Sequence, residues 1–271
     1  MLTLTYIQDM SSSPAENIAL EECLRAIVAE SLARDESATE FPAAFFTTYS
    51  NTPCVVLGRN QDAAVELSQA TLKSGTPRAF RRTTGGGAVY HDSGNLNWSF
   101  VVPGTLADRA GLLQLILGAL AIAGVQAAVG GRGEITVAGR KVGGTASAAG
   151  KGVLLFHGTL LVDTDLVALR ESLAAHEKDY QPGSVRSVPA TVTNLVNLVP
   201  KMTVKSLAAT LTSHLAGTSS VAWNSLINEQ QVAAMTNELS SDAWIFKRSA
   251  QFSREPSMTR KPELAEMKGT T

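Results

Sequence analysis

Cysteine is scarce in this chain of 271 residues: Cys23 and Cys54 are too few for the disulfide framework of a secreted domain, and they do not form the CxxC pair that would suggest zinc. An excess of one charge is missing too. Lys plus Arg number 23 against 24 for Asp plus Glu, so no overall field recruits nucleic acid or an anionic membrane. No apolar run is long enough to span a bilayer, and no basic segment precedes an apolar one at the N-terminus as a secretion signal requires. Internal repeats are absent as well. These absences leave a soluble, cytoplasmic globular protein of one large domain, or one domain and a small appendage, as the expectation.

What is present reads as interleaved strands and helices. Residues 2–7 alternate apolar and polar side chains, the period of a half-buried strand. Ser11, Ser12 and Ser13 offer N-cap hydroxyls, with Pro14 suited to the first turn of a helix over 15–32. Strands are predicted over 43–49, 54–57, 78–82, 97–102, 135–137 and 153–162, and helices over 69–74, 109–123, 166–175 and 204–215. Asn51-Thr52-Pro53 turns the second strand into the third. The order implies an α/β (α+β) fold, a mixed β-sheet flanked by helices rather than a doubly wound parallel one. Residues 254–271, charged and poor in apolar side chains, read as a disordered tail.

One segment is unusually dense in chemistry: Arg81-Arg82-Thr83-Thr84-Gly85-Gly86-Gly87-Ala88-Val89-Tyr90-His91-Asp92, continued by Gly94-Asn95-Leu96-Asn97. Three glycines after a strand allow positive φ and close approach of backbone N–H groups to a ligand, a concavity suited to anions. The arginines add forked cationic donors. Alone, the glycines could be a flexible turn beside a solvated basic pair; with the flanking Arg-Arg and His-Asp pairs they point to an anion site. The spacing fits neither GxxxxGK[ST] nor GxGxxG, which argues against a Walker-type or dinucleotide cradle.

A second segment, Gly139-Arg140-Lys141-Val142-Gly143-Gly144-Thr145-Ala146-Ser147, puts a lysine at the entrance of a glycine turn, where an ammonium can face developing negative charge. His157, in Phe156-His157-Gly158-Thr159-Leu160-Leu161, reads by itself as a satisfied core histidine.

In order and spacing these segments resemble the lipoate–protein ligase family. Supporting matches are Asn17-Ile18-Ala19-Leu20-Glu21-Glu22, the run from Pro53 to Gln61, and Thr191-Val192-Thr193-Asn194-Leu195, with a weaker echo at Trp244-Ile245-Phe246-Lys247-Arg248-Ser249. The resemblance covers about residues 1–253 as a catalytic domain with the biotin/lipoate protein ligase fold. It implies adenylation of lipoate (or octanoate) by ATP with Mg²⁺ to lipoyl-AMP, then transfer to a lysine of a lipoyl-domain acceptor. It further implies that Lys141 serves the phosphate and carbonyl oxygens in both half-reactions. Arg82 would contact the acyl end or adenylate, Gly85, Gly86 and Gly87 would line the pocket, His91 and Asn95 would sit beside the nucleotide, and Thr145, Ala146 and His157 would complete the site.

The sequence departs from the family where Gly-Arg-Asn-Asp is common, since here the run is Gly131-Arg132-Gly133-Glu134, leaving Glu134 as the candidate metal contact. The accessory C-terminal domain of many relatives is expected to be absent and replaced by a separate subunit. A transferase that takes octanoyl or lipoyl groups from a carrier, one that uses preformed adenylate, and a non-catalytic lipoyl-binding module remain alternatives. The thiol-dependent version would need a nucleophilic cysteine, and both cysteines sit in apolar surroundings.

Overall fold

The computed structural model describes residues 3–33, 43–173, 183–216 and 219–249. The expected tail at 254–271 lies outside them. The elements in order are β1 (Thr5–Gln8), α1 (Pro14–Leu32), β2 (Phe45–Tyr49), β3 (Cys54–Leu57), α2 (Ala63–Glu66), α3 (Gln69–Ser74), β4 (Arg78–Arg81), β5 (Val89–His91), β6 (Asn95–Pro103) and α4 (Arg109–Ile122). They continue with β7 (Ala128–Val129), β8 (Ile135–Val137), β9 (Arg140–Gly143), β10 (Thr145–Gly150), β11 (Val153–Leu161), α5 (Leu166–Ser172), α6 (Val204–Leu215), β12 (Ser220–Ala222), α7 (Glu229–Leu239) and α8 (Asp242–Ile245).

A mixed six-stranded sheet, ordered β10-β11-β6-β2-β1-β12, is the spine. β1 runs parallel to β2 and β12, and the remaining pairs are antiparallel. Helices α4 and α6 cover one face over Phe46, Trp98, Phe100 and Phe156. Helices α1 and α7 cover the other over Phe45, Val101, Val153 and Leu155. The capping expectation holds in detail: Ser13 caps α1 by accepting from the Glu16 N–H, and Pro14, which has no donor to strand, sits in the first turn.

Two small sheets, β4-β3-β5 and β7-β8-β9, attach to this layer. The turn at 51–53 closes no hairpin, because β2 enters the large sheet while β3 pairs with β4 and β5. The Gly/Ala/Ser-rich stretch, which has no strand-like periodicity, becomes β10 because β11 supplies a partner along its length. Residues 220–245, which the sequence reading left without elements, hold β12, α7 and α8.

The strand alternation places the site. On β6, Leu96, Trp98, Phe100 and Val102 enter the core beneath α4, so Asn95, Asn97, Ser99 and Val101 take the opposite face. On β11, Leu154, Phe156 and Leu160 face that same core, leaving Leu155, His157 and Thr159 opposite. The register pairs His157 with Ser99 and Thr159 with Asn97. The face toward α1 is therefore apolar at one end of these strands and polar at the other. A cavity opens at the polar end.

Candidate active site

The first cavity, of about 280 Å³, is bounded by α1 (Ile18, Glu21), β2 and its following turn (Tyr49, Asn51), the glycine segment (Arg82, Gly86, Gly87, His91), the polar strand faces (Asn97, His157, Thr159) and the segment 185–188. A second cavity, of about 550 Å³, lies beside it between Tyr90, Leu161, Leu169, Leu173, Pro189 and Val192. Lys141 and Thr159 border both.

The tight turn at Ala138 (φ 48°) and Gly139 (φ 76°) carries the chain into β9, on which Lys141 sits. Its backbone is fixed by bonds to Thr191 O (2.9 Å) and from Thr193 N (3.0 Å). A Cβ added at Gly144 would come within 3.3 Å of the Lys141 Nζ, so the glycine leaves room for the ammonium. Burial pulls the Lys141 pKa below its ordinary value, and the Glu134 carboxylate opposes that pull. Glu134 itself accepts from the Arg132 N–H at 2.8 Å and lies 3.7 Å from the Arg132 guanidinium.

Both arginines of the glycine segment turn inward. Arg82 donates from Nε to Thr84 Oγ1 (3.0 Å), from one terminal nitrogen to Val56 O (3.2 Å), and from the other to Gly85 O (2.5 Å) and Gly87 O (2.9 Å). It borders the cavity, and these donors also shape the glycine loop. Burial lowers its pKa to about 10, which still leaves it charged at neutral pH. Gly86 has φ 89°, and its carbonyl packs so closely on Gly58 that no side chain fits there.

His157 is held at both ring nitrogens: Nδ1 lies 2.9 Å from a Glu21 carboxylate oxygen and Nε2 lies 2.7 Å from Thr84 Oγ1. Tyr49 donates its hydroxyl to the same Glu21 at 3.0 Å. His157 is thus hydrogen-bonded on both sides, as the sequence reading of a satisfied histidine expects, and it also lines the first cavity.

Of the residues singled out from sequence, Lys141, Arg82, Gly86, Gly87, His91, Thr145, Ala146, His157 and Glu134 border the first cavity. Gly85 and Asn95 border neither. Asn95 is fully buried beneath the site, with its amide donating to Asn97 Oδ1 at 3.1 Å. Asn97 takes the position at the wall. Sequence reasoning missed Glu21, Tyr49, Asn51, Asn97, Thr159 and the segment 185–188. The signal available for Asn97 and Thr159 was a row of polar residues at every second position of an otherwise apolar strand.

Segment 185–188 lines the first cavity, anchored to the loop 60–61 and to the glycine segment. Val185 N donates to Asn60 O (3.0 Å), Gln61 Nε2 to Ser187 Oγ (2.9 Å), and Ala88 N to the same hydroxyl (2.8 Å). Neither buried cysteine borders either of these two cavities, and burial raises both thiols above their ordinary pKa. Among the described residues no three His, Cys, Asp or Glu side chains converge as a metal site, and no helix is long and apolar enough to cross a membrane.

Comparison with known proteins gives a consistent picture. The family model of the lipoyl protein ligase A/B catalytic domain matches residues 13–216. Lipoate-protein ligase A of Bdellovibrio bacteriovorus is 32% identical over 218 residues, covering 76% of this chain and 64% of that protein. Lipoate-protein ligase LplJ of Bacillus subtilis is 29% identical over 215 residues, covering 78% and 61%. The chain thus spans less than two thirds of the length of either relative. Among solved structures, P. falciparum LipL1 in complex with lipoate superposes with a TM-score of 0.75 at 22% identity, covering 91% of this chain and 74% of that one. A lipoate-protein ligase A bound with ATP gives 0.67 at 21%, covering 90% and 99%. These likenesses establish a common mixed α/β fold.

Proposed function

Because the chain belongs to the lipoyl protein ligase A/B catalytic-domain family, we propose that it activates lipoate, or the related octanoate, as its adenylate and transfers the acyl group to a lysine of a lipoyl-domain acceptor. The observation that carries the proposal is the place of Lys141, a partly buried cation bordering two adjoining cavities. In this reading the acyl chain occupies the cavity of Ile18, Val56 and His157, and the adenosine occupies that of Tyr90, Leu161 and Val192. The mixed anhydride then lies where they meet.

The carboxylate oxygen attacks the α-phosphorus of ATP and pyrophosphate leaves. The neutral amine of the acceptor lysine then attacks the acyl carbonyl, AMP leaves, and the amide forms after loss of a proton. Lys141 faces negative charge in both steps, first on the α-phosphate and then on the tetrahedral oxyanion. The glycine loop, braced by Arg82, presents backbone beside the same atoms. Mg²⁺ would arrive with the triphosphate, with Glu134 as a candidate protein ligand; the other carboxylate of the first cavity, Glu21, is taken up by His157 and Tyr49.

The proposal extends to a cytoplasmic setting, where the free cysteines Cys23 and Cys54 stay reduced. It also includes a separate polypeptide that assists adenylation, by analogy with the bi-partite lipoate protein ligase of Thermoplasma acidophilum, described together with its E2 lipoyl domain. ATP–pyrophosphate exchange with lipoate tests the adenylation half of this reading. Lys141→Ala is expected to cut the exchange by about 10²–10³. An unchanged rate would remove Lys141 from the mechanism.

A further inference from the structure

The run Thr191-Val192-Thr193-Asn194-Leu195 borders the two cavities only at Val192, yet it grips the lysine on which the proposed chemistry turns. Lys141 donates its N–H to Thr191 O (2.9 Å), and its carbonyl accepts from Thr193 N (3.0 Å), a parallel bridge centred on Val192. That grip matters because Lys141 is lightly held along the rest of β9. The chain enters β9 through an exposed turn at Ala138 and Gly139. The partner strand β8, Ile135–Val137, shifts register between Ile135 and Thr136. The next anchor lies at Gly144, whose carbonyl accepts from Thr159 N at 2.9 Å.

What holds 191–193 in place is the side chain of Asn194. It stands ahead of a 3₁₀ turn, Leu195–Asn197, where an asparagine ordinarily caps with its side chain, but it makes no capping bond. Its amide closes instead on the backbone of Thr164: Nδ2 donates to Thr164 O (2.8 Å) and Oδ1 accepts from Thr164 N (3.2 Å). The orientation is fixed, because a backbone N–H only donates and a carbonyl only accepts. Asn194 is 8% exposed and Thr164 3%, so both bonds are shielded from water. Val196 N donates to Val162 O (3.0 Å) as a backbone stitch alongside.

Thr164 belongs to the turn that seats the far end of the glycine segment. Val162 N and Asp163 N both donate to Gly94 O (3.0 and 2.9 Å), and Asp165 N donates to Asp92 Oδ2 (2.8 Å). The approach is so close that no side chain fits at Gly94. One buried amide thus ties the strand that grips Lys141 to the segment that carries the glycine loop.

We propose that Asn194 is a positioning residue that acts through Lys141, setting where the ammonium stands relative to the glycine loop. Asn194 borders neither cavity and takes no part in the bond changes. On the ligase reading given above, from which the role of Lys141 is taken, the mixed anhydride lies between the two groups that this amide holds in place.

The test is a double-mutant cycle in ATP–pyrophosphate exchange with lipoate, using the full chain. Asn194→Ala is expected to lower kcat/KM by about 10- to 100-fold, the cost of displacing a catalytic group by about an ångström. In a Lys141→Ala background the same change is expected to lower the residual rate by less than about twofold, because no ammonium is left to misplace. A role in general stability would lower the rate by the same factor in both backgrounds. That result, or an Asn194→Ala enzyme as active as wild type, overturns the inference and leaves the ligase reading standing. An unchanged rate in Lys141→Ala alone overturns both. Amide hydrogen exchange on the wild type decides the matter even where Asn194→Ala does not fold: the N–H groups of Lys141, Thr193 and Thr164 are expected to open together as one unit. A Lys141 N–H that opens more readily than that of Thr164 overturns the inference.

Discussion

Arg81→Met removes a side chain whose guanidinium is buried with each of its nitrogens donating to a backbone carbonyl. Nε and one terminal nitrogen donate to Ile245 O at 2.8 and 2.6 Å. The other reaches Gly58 O at 2.8 Å, Gln61 O at 2.7 Å and, more weakly, Arg59 O at 3.3 Å. No carboxylate pairs with it at ion-pair distance among the described residues, and burial lowers its pKa to about 10, so it is charged at neutral pH. It ties three strangers in sequence: β4, the loop 58–61 and α8. Methionine fills the stem but withdraws the donors from those carbonyls, at about 1–3 kcal/mol for each one left unpaired. Release of a buried charge offsets part of this. The net loss is expected to be about 2–4 kcal/mol, which in a domain of this size lowers Tm by about 10 °C. Thermal denaturation reads the total, and amide hydrogen exchange reads the location. Protection should fall first at 58–61 and 242–249 and hold in β6. A Tm within about 2 °C of wild type, or a uniform loss of protection, would refute the claim that Arg81 is the tie.

Other outcomes follow from the same geometry. Glu134 raises the Lys141 pKa against the effect of burial, so Glu134→Gln should let it fall. Activity that needs the ammonium is lost as pH rises through that pKa, and the alkaline limb of the exchange profile should move to lower pH; a limb that stays put or moves up contradicts the assignment. Gly58→Ala drives a Cβ into the Gly86 carbonyl, and is expected to cost about 1–3 kcal/mol of stability, read by denaturant melts, while exchange activity drops with the displaced loop. Glu21→Gln removes the carboxylate that His157 and Tyr49 share. It should raise KM for the acid while the fold survives, as measured by far-ultraviolet dichroism beside kinetics.

The elements with strong local signals were legible beforehand. The third strand, the helix over 69–74 and the helix over 204–215 match to the residue, because each is bounded by its own caps and turns. β10 and β12 were not legible, since small or isolated residues become strands only through a partner distant in sequence. The arginines show a deeper limit. Arg-Arg beside Gly-Gly-Gly reads as a forked anion site, yet the sequence does not say which of their donors backbone carbonyls take up. Only the fold says that Val56, Gly58, Gln61, Gly85, Gly87 and Ile245 turn their oxygens toward them.

The polar wall depends on register more than on any single residue. Asn97 and Thr159 face each other, as do Ser99 and His157, because β6 and β11 pair in one antiparallel register over nine positions. A slip of one residue in either strand would exchange its two faces, turning Trp98 or Phe156 into the cavity and an amide or imidazole into the core beneath α4. The aromatic cluster of Phe46, Trp98, Phe100 and Phe156, with ring centroids 4.9–5.8 Å apart, therefore does more than stabilise the sheet. By holding the register from the far side, it keeps His157 within reach of Glu21 and Thr84, and through Thr84 it keeps Arg82 and the glycine loop in place around the cavity.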